Sequence, residues 1–316
     1  MVNHCAPFDT LASTVPELPD IELYLHALRS RVVGQRLDRL RIRGPFLLRS
    51  VDPPYTSVEG HMVEAVRRVG KRVVLQFDEG LFVVIHLMIA GRFRWLAPGA
   101  VIPGKIGQAA LDFSNGTLML TEAGSKRRMS LHIVRGESAL AALDPGGLDV
   151  LTASVDALAT ALRSENHTLK RSLTDPHLID GIGNAYSDEI LHAARLSPLT
   201  LTSRLTDDEI ARLHRATVTV LTTWRDDLIA ETGERFPQKV TAFRAEMAVH
   251  GRYGKPCPVC AMPVQRIRYA SNEVDYCPRC QTGGKLLADR ALSQLLKRDW
   301  PKSFEELEEY KNARKQ

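Results

Sequence analysis

Two Cys-x-x-Cys pairs constrain this chain more tightly than any other feature. Cys257-Pro258-Val259-Cys260 and Cys277-Pro278-Arg279-Cys280 stand sixteen residues apart. Four thiolates at that spacing suit one tetrahedral Zn²⁺ and predict a small metal-nucleated finger over residues 246–284. A redox pair is the alternative, but it explains one knuckle and not two. With four sulfurs on the ion no coordination position stays open, so the metal is structural. Function then falls to the hairpin between the knuckles. The fifth cysteine, Cys5, is isolated, and pairing for metal rather than disulfide fits a reducing compartment.

Charge points to the same region. Residues 235–284 hold eight Lys or Arg against three Asp or Glu, a surplus of +5 that equals the net charge of the whole chain. A basic finger of this kind favours a polyanionic partner. Nowhere does an apolar run approach the ~20 residues of a membrane span. Residues 1–14 lack the basic and apolar regions of a secretory signal. A cytosolic protein is expected.

With 316 residues, 44% of them hydrophobic, the chain suits two or three compact units. Residues 21–33 carry apolar Ile21, Leu25, Leu28 and Val32, a helical stripe ended by Gly34. From 37 to 120 the pattern changes to short β-rich runs, broken by Asp78-Glu79-Gly80 and Asn115-Gly116. These read as a β-sandwich or barrel. Asp144-Pro145-Gly146-Gly147 is a linker, after which helical periodicity dominates at 155–162, 169–174 and 210–228. The expected architecture is α+β multidomain, with units at 16–143, 148–245 and 246–284. In the extension at 285–316, a short docked helix and a charged end are expected.

Ahead of the first helix stands Val15-Pro16-Glu17-Leu18-Pro19-Asp20. Within a chain, a proline here only fixes φ and opens a helix. At a free N-terminus it is a secondary amine able to attack a sugar carbon and form an iminium. Four further stretches carry chemistry-bearing residues. Arg67-Arg68-Val69-Gly70-Lys71-Arg72 puts four cations before an apolar strand; by itself it is a charged turn. His86-Leu87-Met88-Ile89-Ala90-Gly91-Arg92 offers an apolar tip, and Glu122-Ala123-Gly124-Ser125-Lys126-Arg127-Arg128-Met129 is basic. Gly181-Ile182-Gly183-Asn184-Ala185-Tyr186 places two glycines and an asparagine at a helix N-terminus, where unpaired N–H groups attract anions.

Together these stretches resemble the formamidopyrimidine-DNA glycosylase and endonuclease VIII family over residues 15–284. Mature members begin Pro-Glu-Leu-Pro-Glu and carry a His-Leu-Gly-Met-Ser-Gly loop, a Gly-Val-Gly-Asn-Ile-Tyr helix-two-turn-helix signature and a four-cysteine finger. The resemblance implies an N-terminal β-sandwich with its first helix packed on it, a helical domain and the finger. It implies a monomer acting on damaged double-stranded DNA as a bifunctional glycosylase and lyase, with no metal or organic cofactor in the chemistry. Pro16 is then the nucleophile, Glu17 a proton shuttle and Asp20 the counterpart of a family glutamate. Lys71 reaches the active site, and Ile89 replaces the methionine that fills the gap left by a flipped nucleotide. Lys170 and Asn184 hold phosphates. The finger's phosphate-binding arginine falls at Asn272, with Arg266 and Arg268 nearby. Many members have Asp-Pro-Arg-Arg-Phe-Gly where this chain has residues 122–129, so the Arg-Phe probe of the opposite strand lacks a clear counterpart.

As written, Val15 acylates Pro16. The expectation is that residues 1–15 are absent from the mature protein: valine is what an initiating GTG codon reads as, and methionine before proline is readily removed. If they are retained, a non-catalytic DNA-binding protein is the alternative. An RNA-binding zinc-ribbon protein is a third reading, without an aromatic-rich platform for stacked bases.

Overall fold

The computed structural model describes residues 15–124, 126–238, 240–241, 244–269, 272–287, 301, 303–304, 306–307 and 309, with Tyr269 and Asn272 described by backbone only. The helix and charged end expected at 285–316 lie almost entirely outside the described residues.

Helix α1, Leu18–Val32, opens the described chain. It begins three residues before the apolar stripe, because the N–H of Glu17 is accepted by the Asp20 carboxylate and Pro19 tolerates the first turn. Eight strands follow: β1 Leu37–Ile42, β2 Val63–Val69, β3 Arg72–Phe77, β4 Leu81–His86, β5 Gly91–Leu96, β6 Gly107–Phe113, β7 Gly116–Glu122 and β8 Ser130–Arg135. They form two antiparallel four-stranded sheets, ordered β1-β6-β7-β5 and β2-β3-β4-β8. The expected sandwich is therefore present. Strands β3 and β4 are apolar on both faces for a reason. Val73, Leu75, Val83 and Ile85 face the main core, whereas Val74, Phe82 and Val84 are covered by Leu140 of α2, Glu137–Ala141.

The second unit contains α3 Val155–Ser164, α4 Leu169–Thr174, α5 Asn184–Ala193 and the long α6 Asp207–Thr232. A capping box starts α6, where Thr206 and Glu209 exchange bonds with each other's backbone N–H. Helix α1 belongs to both units. Leu18 packs in the helical core, while Ile21, Tyr24, Leu25 and Leu28 pack in the sandwich core. Arg68 adds a half-buried tie, pairing Asp180 and reaching Asp149 at 2.8 Å. The finger is the hairpin β9 Gln265–Tyr269 and β10 Asn272–Tyr276, followed by α7 Pro278–Thr282. Among the described residues, no helix is long and apolar enough to cross a membrane.

Candidate active site

Two stretches distant in sequence meet at the mouth of α1. Pro16 is buried two residues ahead of the helix, and the Glu17 carboxylate crosses to the N-terminus of α5. There it accepts N–H bonds from Gly183 at 2.6 Å, Ala185 at 2.8 Å and Tyr186 at 3.2 Å. A helix N-terminus seats a carboxylate in this way because its first N–H groups have no partner within the helix. The glycines make room. A Cβ at residue 183 would lie 2.6 Å from the Glu17 carboxyl carbon, and one at residue 181 would meet Leu18 at 2.8 Å. Leu18 completes the junction by donating its N–H to the Gly181 carbonyl at 2.9 Å.

Asp20 is fully buried behind Glu17. Burial pushes its carboxyl up to about 6, opposed by the Glu17 N–H and by Arg244, whose guanidinium lies 3.8 Å away. Lys71 follows Gly70 at the tip of the β2–β3 hairpin. Desolvation pushes its ammonium down from the usual lysine range, with Glu17 and Asp180 pulling the other way. The structure thus brings Pro16, Glu17, Asp20 and Lys71 to one place. Beside them on the same sheet lie Arg72, His86 and His132, and burial together with the neighbouring cations lowers His86 to about 4.

The β4–β5 loop lies close by. Ile89 is partly exposed at its tip, and Arg92 bonds the carbonyls of Ile89 at 3.0 Å and Gly91 at 2.6 Å. Met88, at the position of a family glycine, holds φ 53, a conformation that L side chains rarely adopt. The loop after β7 packs against this tip, with Gly124 beside Ala90 and Met129 beside Gly91. Glu122 fixes it by accepting the N–H groups of Arg128 and Met129 at 2.7 and 3.1 Å. Met129 is buried, and Arg127 donates to the Lys105 carbonyl at 2.9 Å.

Lys170 points inward. Its ammonium donates to the Asn184 carbonyl at 2.6 Å and to Asp188 at 2.5 Å, so it braces the first turn of α5, on which half-buried Asn184 sits. The same helix carries the finger. Asp188 also accepts from His250 at 2.9 Å and from the Asp275 N–H at 3.3 Å. Glu189 accepts the N–H groups of Ala248, Val249 and His250 at 2.8 to 2.9 Å. In the hairpin, Arg266 turns back onto Asp275 at 2.8 Å and Glu273 at 2.7 Å. Arg268 is more exposed and shares Glu273 at 3.2 Å. Asn272 lies in β10, and its side chain is outside the described residues.

The four cysteine sulfurs converge within 4.8 Å of one another. Cys260 and Cys277 are 3.3 Å apart, and Cys257 and Cys280 are 3.9 Å apart. A tetrahedral Zn²⁺ with ~2.3 Å bonds to sulfur sets its ligands about 3.8 Å apart, so the cluster has the size that such an ion requires. Buried His192 stands 3.3 Å from the Cys257 sulfur, where a ring N–H supports a metal thiolate.

Comparison with known proteins accounts for this arrangement. Three family models match in series: the formamidopyrimidine-DNA glycosylase N-terminal domain at 15–129, its H2TH domain at 146–224, and the zinc finger found in FPG and IleRS at 254–283. Formamidopyrimidine-DNA glycosylase of Thermus thermophilus is 32% identical over 278 residues, which span 85% of this chain and all of that protein. The chain belongs to the formamidopyrimidine-DNA glycosylase family.

Among solved members of the family, the crystal structure of the MutM (Fpg) protein from Thermus thermophilus aligns with a TM-score of 0.71 at 33% identity. The alignment covers 84% of this chain and 98% of that one. A complex between the Lactococcus lactis Fpg and DNA containing an abasic site aligns with a TM-score of 0.73 at 22% identity, over 84% and 99% of the two chains. An uncharacterized formamidopyrimidine-DNA glycosylase-like protein of Mycobacterium tuberculosis is 43% identical over 156 residues, 49% of this chain and 95% of that protein. Within this glycosylase fold, sequence reasoning overlooked Arg244, Asp188, Glu189 and His250. Asp188 and Glu189 stand four and five residues after Asn184 of the Gly-Ile-Gly-Asn turn, and two adjacent acidic residues in an otherwise apolar helical stretch were the available signal.

Proposed function

We propose that the protein is a bifunctional DNA glycosylase and abasic-site lyase of base excision repair, removing oxidised bases through an amine at Pro16. The observation that carries this reading is the seat of Glu17: the residue after Pro16 is fixed by the backbone of the Gly-Ile-Gly-Asn turn, joining two family motifs in one site. The flipped nucleotide would enter beside it. The amine bonds to C1′ as the bond from C1′ to the base breaks, and the base leaves with a proton. Glu17 carries protons as the sugar opens. The resulting iminium acidifies the C2′ hydrogens, and loss of one expels the 3′-phosphate. Ile89 fills the unstacked space. Cys257, Cys260, Cys277 and Cys280 would hold a structural Zn²⁺ that shapes the finger and leaves the chemistry to the protein.

Duplexes carrying 8-oxoguanine, formamidopyrimidine or oxidised pyrimidines, each opposite all four bases, test the reading. Nicking at the lesion is expected for at least one lesion class. Intact strands throughout, with binding retained, would instead favour a non-catalytic DNA-binding protein. That second reading draws on one observation, the Val15 acyl group on Pro16.

We assign the phosphate clamp to the Lys170 and Asn184 pair. Lys170→Ala should weaken damaged and undamaged duplexes by similar factors and flatten the salt dependence by roughly one unit of slope. It should also lower thermal stability, because Asp188 would lose a buried partner. Reduced stability with an unchanged salt slope would restrict Lys170 to bracing α5, and a loss confined to one lesion would move it to the pocket.

A further inference from the structure

Behind Glu17, three elements contribute buried polar atoms that find no hydrogen bond among the described residues. They are Asp20 Oδ1 from α1, the Tyr186 hydroxyl from α5, and Arg244 Nε from the segment after α6. Asp20 uses its other oxygen on the Glu17 N–H. The distance of 3.8 Å between Arg244 and Oδ1 is an ion pair and too long for a hydrogen bond. The Tyr186 hydroxyl lies beside the Arg244 guanidinium, near enough to feel its charge. Buried polar atoms are rarely left unpaired, and three converging ones mark a place where a polar guest is received.

The resemblance places a glutamate where this chain has Asp20, one methylene shorter. A buried aspartate is costly to ionise unless a cation stands by. Arg244 supplies that cation from a separate part of the chain. We propose that Arg244 is a positioning residue for Asp20, keeping its carboxylate ionised and aimed, with the Tyr186 hydroxyl, at a water or sugar hydroxyl held next to the Pro16–Glu17 peptide. This rests on the glycosylase reading.

The other groups facing Asp20 are few. Glu17 opposes its ionisation, Arg92 on β5 favours it, and burial drives the Tyr24 and Tyr186 phenols upward, so both stay neutral. Removing Arg244 therefore has a definite sign: the protonated form of Asp20 gains, and its titration moves up from about 6.

Single-turnover nicking measured against pH at saturating DNA provides the test. Wild type should show an acid limb near pH 6. Arg244→Gln should move that limb upward by roughly one pH unit or more. Arg244→Lys should shift it less, and Asp20→Asn should abolish it. Affinity for an uncleavable duplex should be unchanged in Arg244→Gln. An unmoved limb, or a loss confined to DNA affinity, would overturn the proposal and make Arg244 a DNA contact. Carboxyl NMR titration of Asp20 in wild type and Arg244→Lys reads the same linkage without catalysis, and an equal midpoint in both would also overturn it. Absence of nicking in wild type, with the NMR shift present, would count against the glycosylase reading alone.

Discussion

Borohydride added during reaction with an abasic-site duplex should leave DNA covalently fixed to Pro16, and only on chains that begin there. Reduction converts the transient iminium to a stable amine, so the trapped peptide identifies the nucleophile. In the sequence as written, the Pro16 nitrogen is a tertiary amide whose lone pair is delocalised into the Val15 carbonyl and does not attack. The expected effect is therefore all or none: protein retaining residues 1–15 should trap nothing, and protein starting at Pro16 should trap efficiently. N-terminal sequencing of native protein and mass spectrometry of the trapped peptide check both demands. An intact Met1 terminus on a protein that still nicks would overturn the proline mechanism. Lys71 would then be the next amine to examine, because desolvation holds its ammonium below the usual lysine range beside Glu17.

The local parts of this site are legible in the sequence, and the couplings between them are not. Pro16 and Glu17 stand out because a proline beside a carboxylate at a helix mouth is a contiguous pattern. The four cysteines stand out because metal geometry dictates their spacing. Strand periodicity reveals the sandwich, with residues 73–75 and 81–85 apolar on both faces because both are covered. In contrast, the bond from Gly183 to Glu17 and the ion pair from Arg244 to Asp20 join distant segments, and no local pattern encodes them. Lys170 illustrates the limit. The pattern around it suggests a phosphate ligand, and nothing local reveals that its ammonium also pairs with Asp188, which only the packed helices place within reach. Arg266 repeats the lesson in the hairpin, where the partner strand supplies Asp275 directly across from it.

Replacing Cys277 with serine should cost the protein its zinc and its grip on DNA together. Metal binding supplies about 10 to 16 kcal/mol in isolated finger peptides, comparable to the whole stability of a domain. Here the apolar support of the finger is thin: Val249 and Val264 with the cysteines themselves form one small cluster, and Ile267, Val274 and Tyr276 another. Neither can replace the ion. Cys277 also caps α7, its sulfur accepting the Cys280 N–H at 3.5 Å, so the substitution weakens the second knuckle twice over. Metal analysis should find one zinc per chain in wild type and a large loss in Cys277→Ser. Most helical signal should survive, because the core of α3 to α6 is built from its own leucines and isoleucines. Damage will extend one step further, to the bonds that Glu189 and Asp188 make with residues 248–250 and 275, because Glu189 loses the N–H groups it accepts there and Asp188 keeps only Lys170. Amide exchange should therefore accelerate across 246–283 and at the α5 turns facing it, while α1 and the sandwich strands stay protected. Unchanged DNA affinity after loss of zinc would refute a finger that grips DNA, and unchanged exchange in α5 would refute its coupling to the helix that seats Glu17.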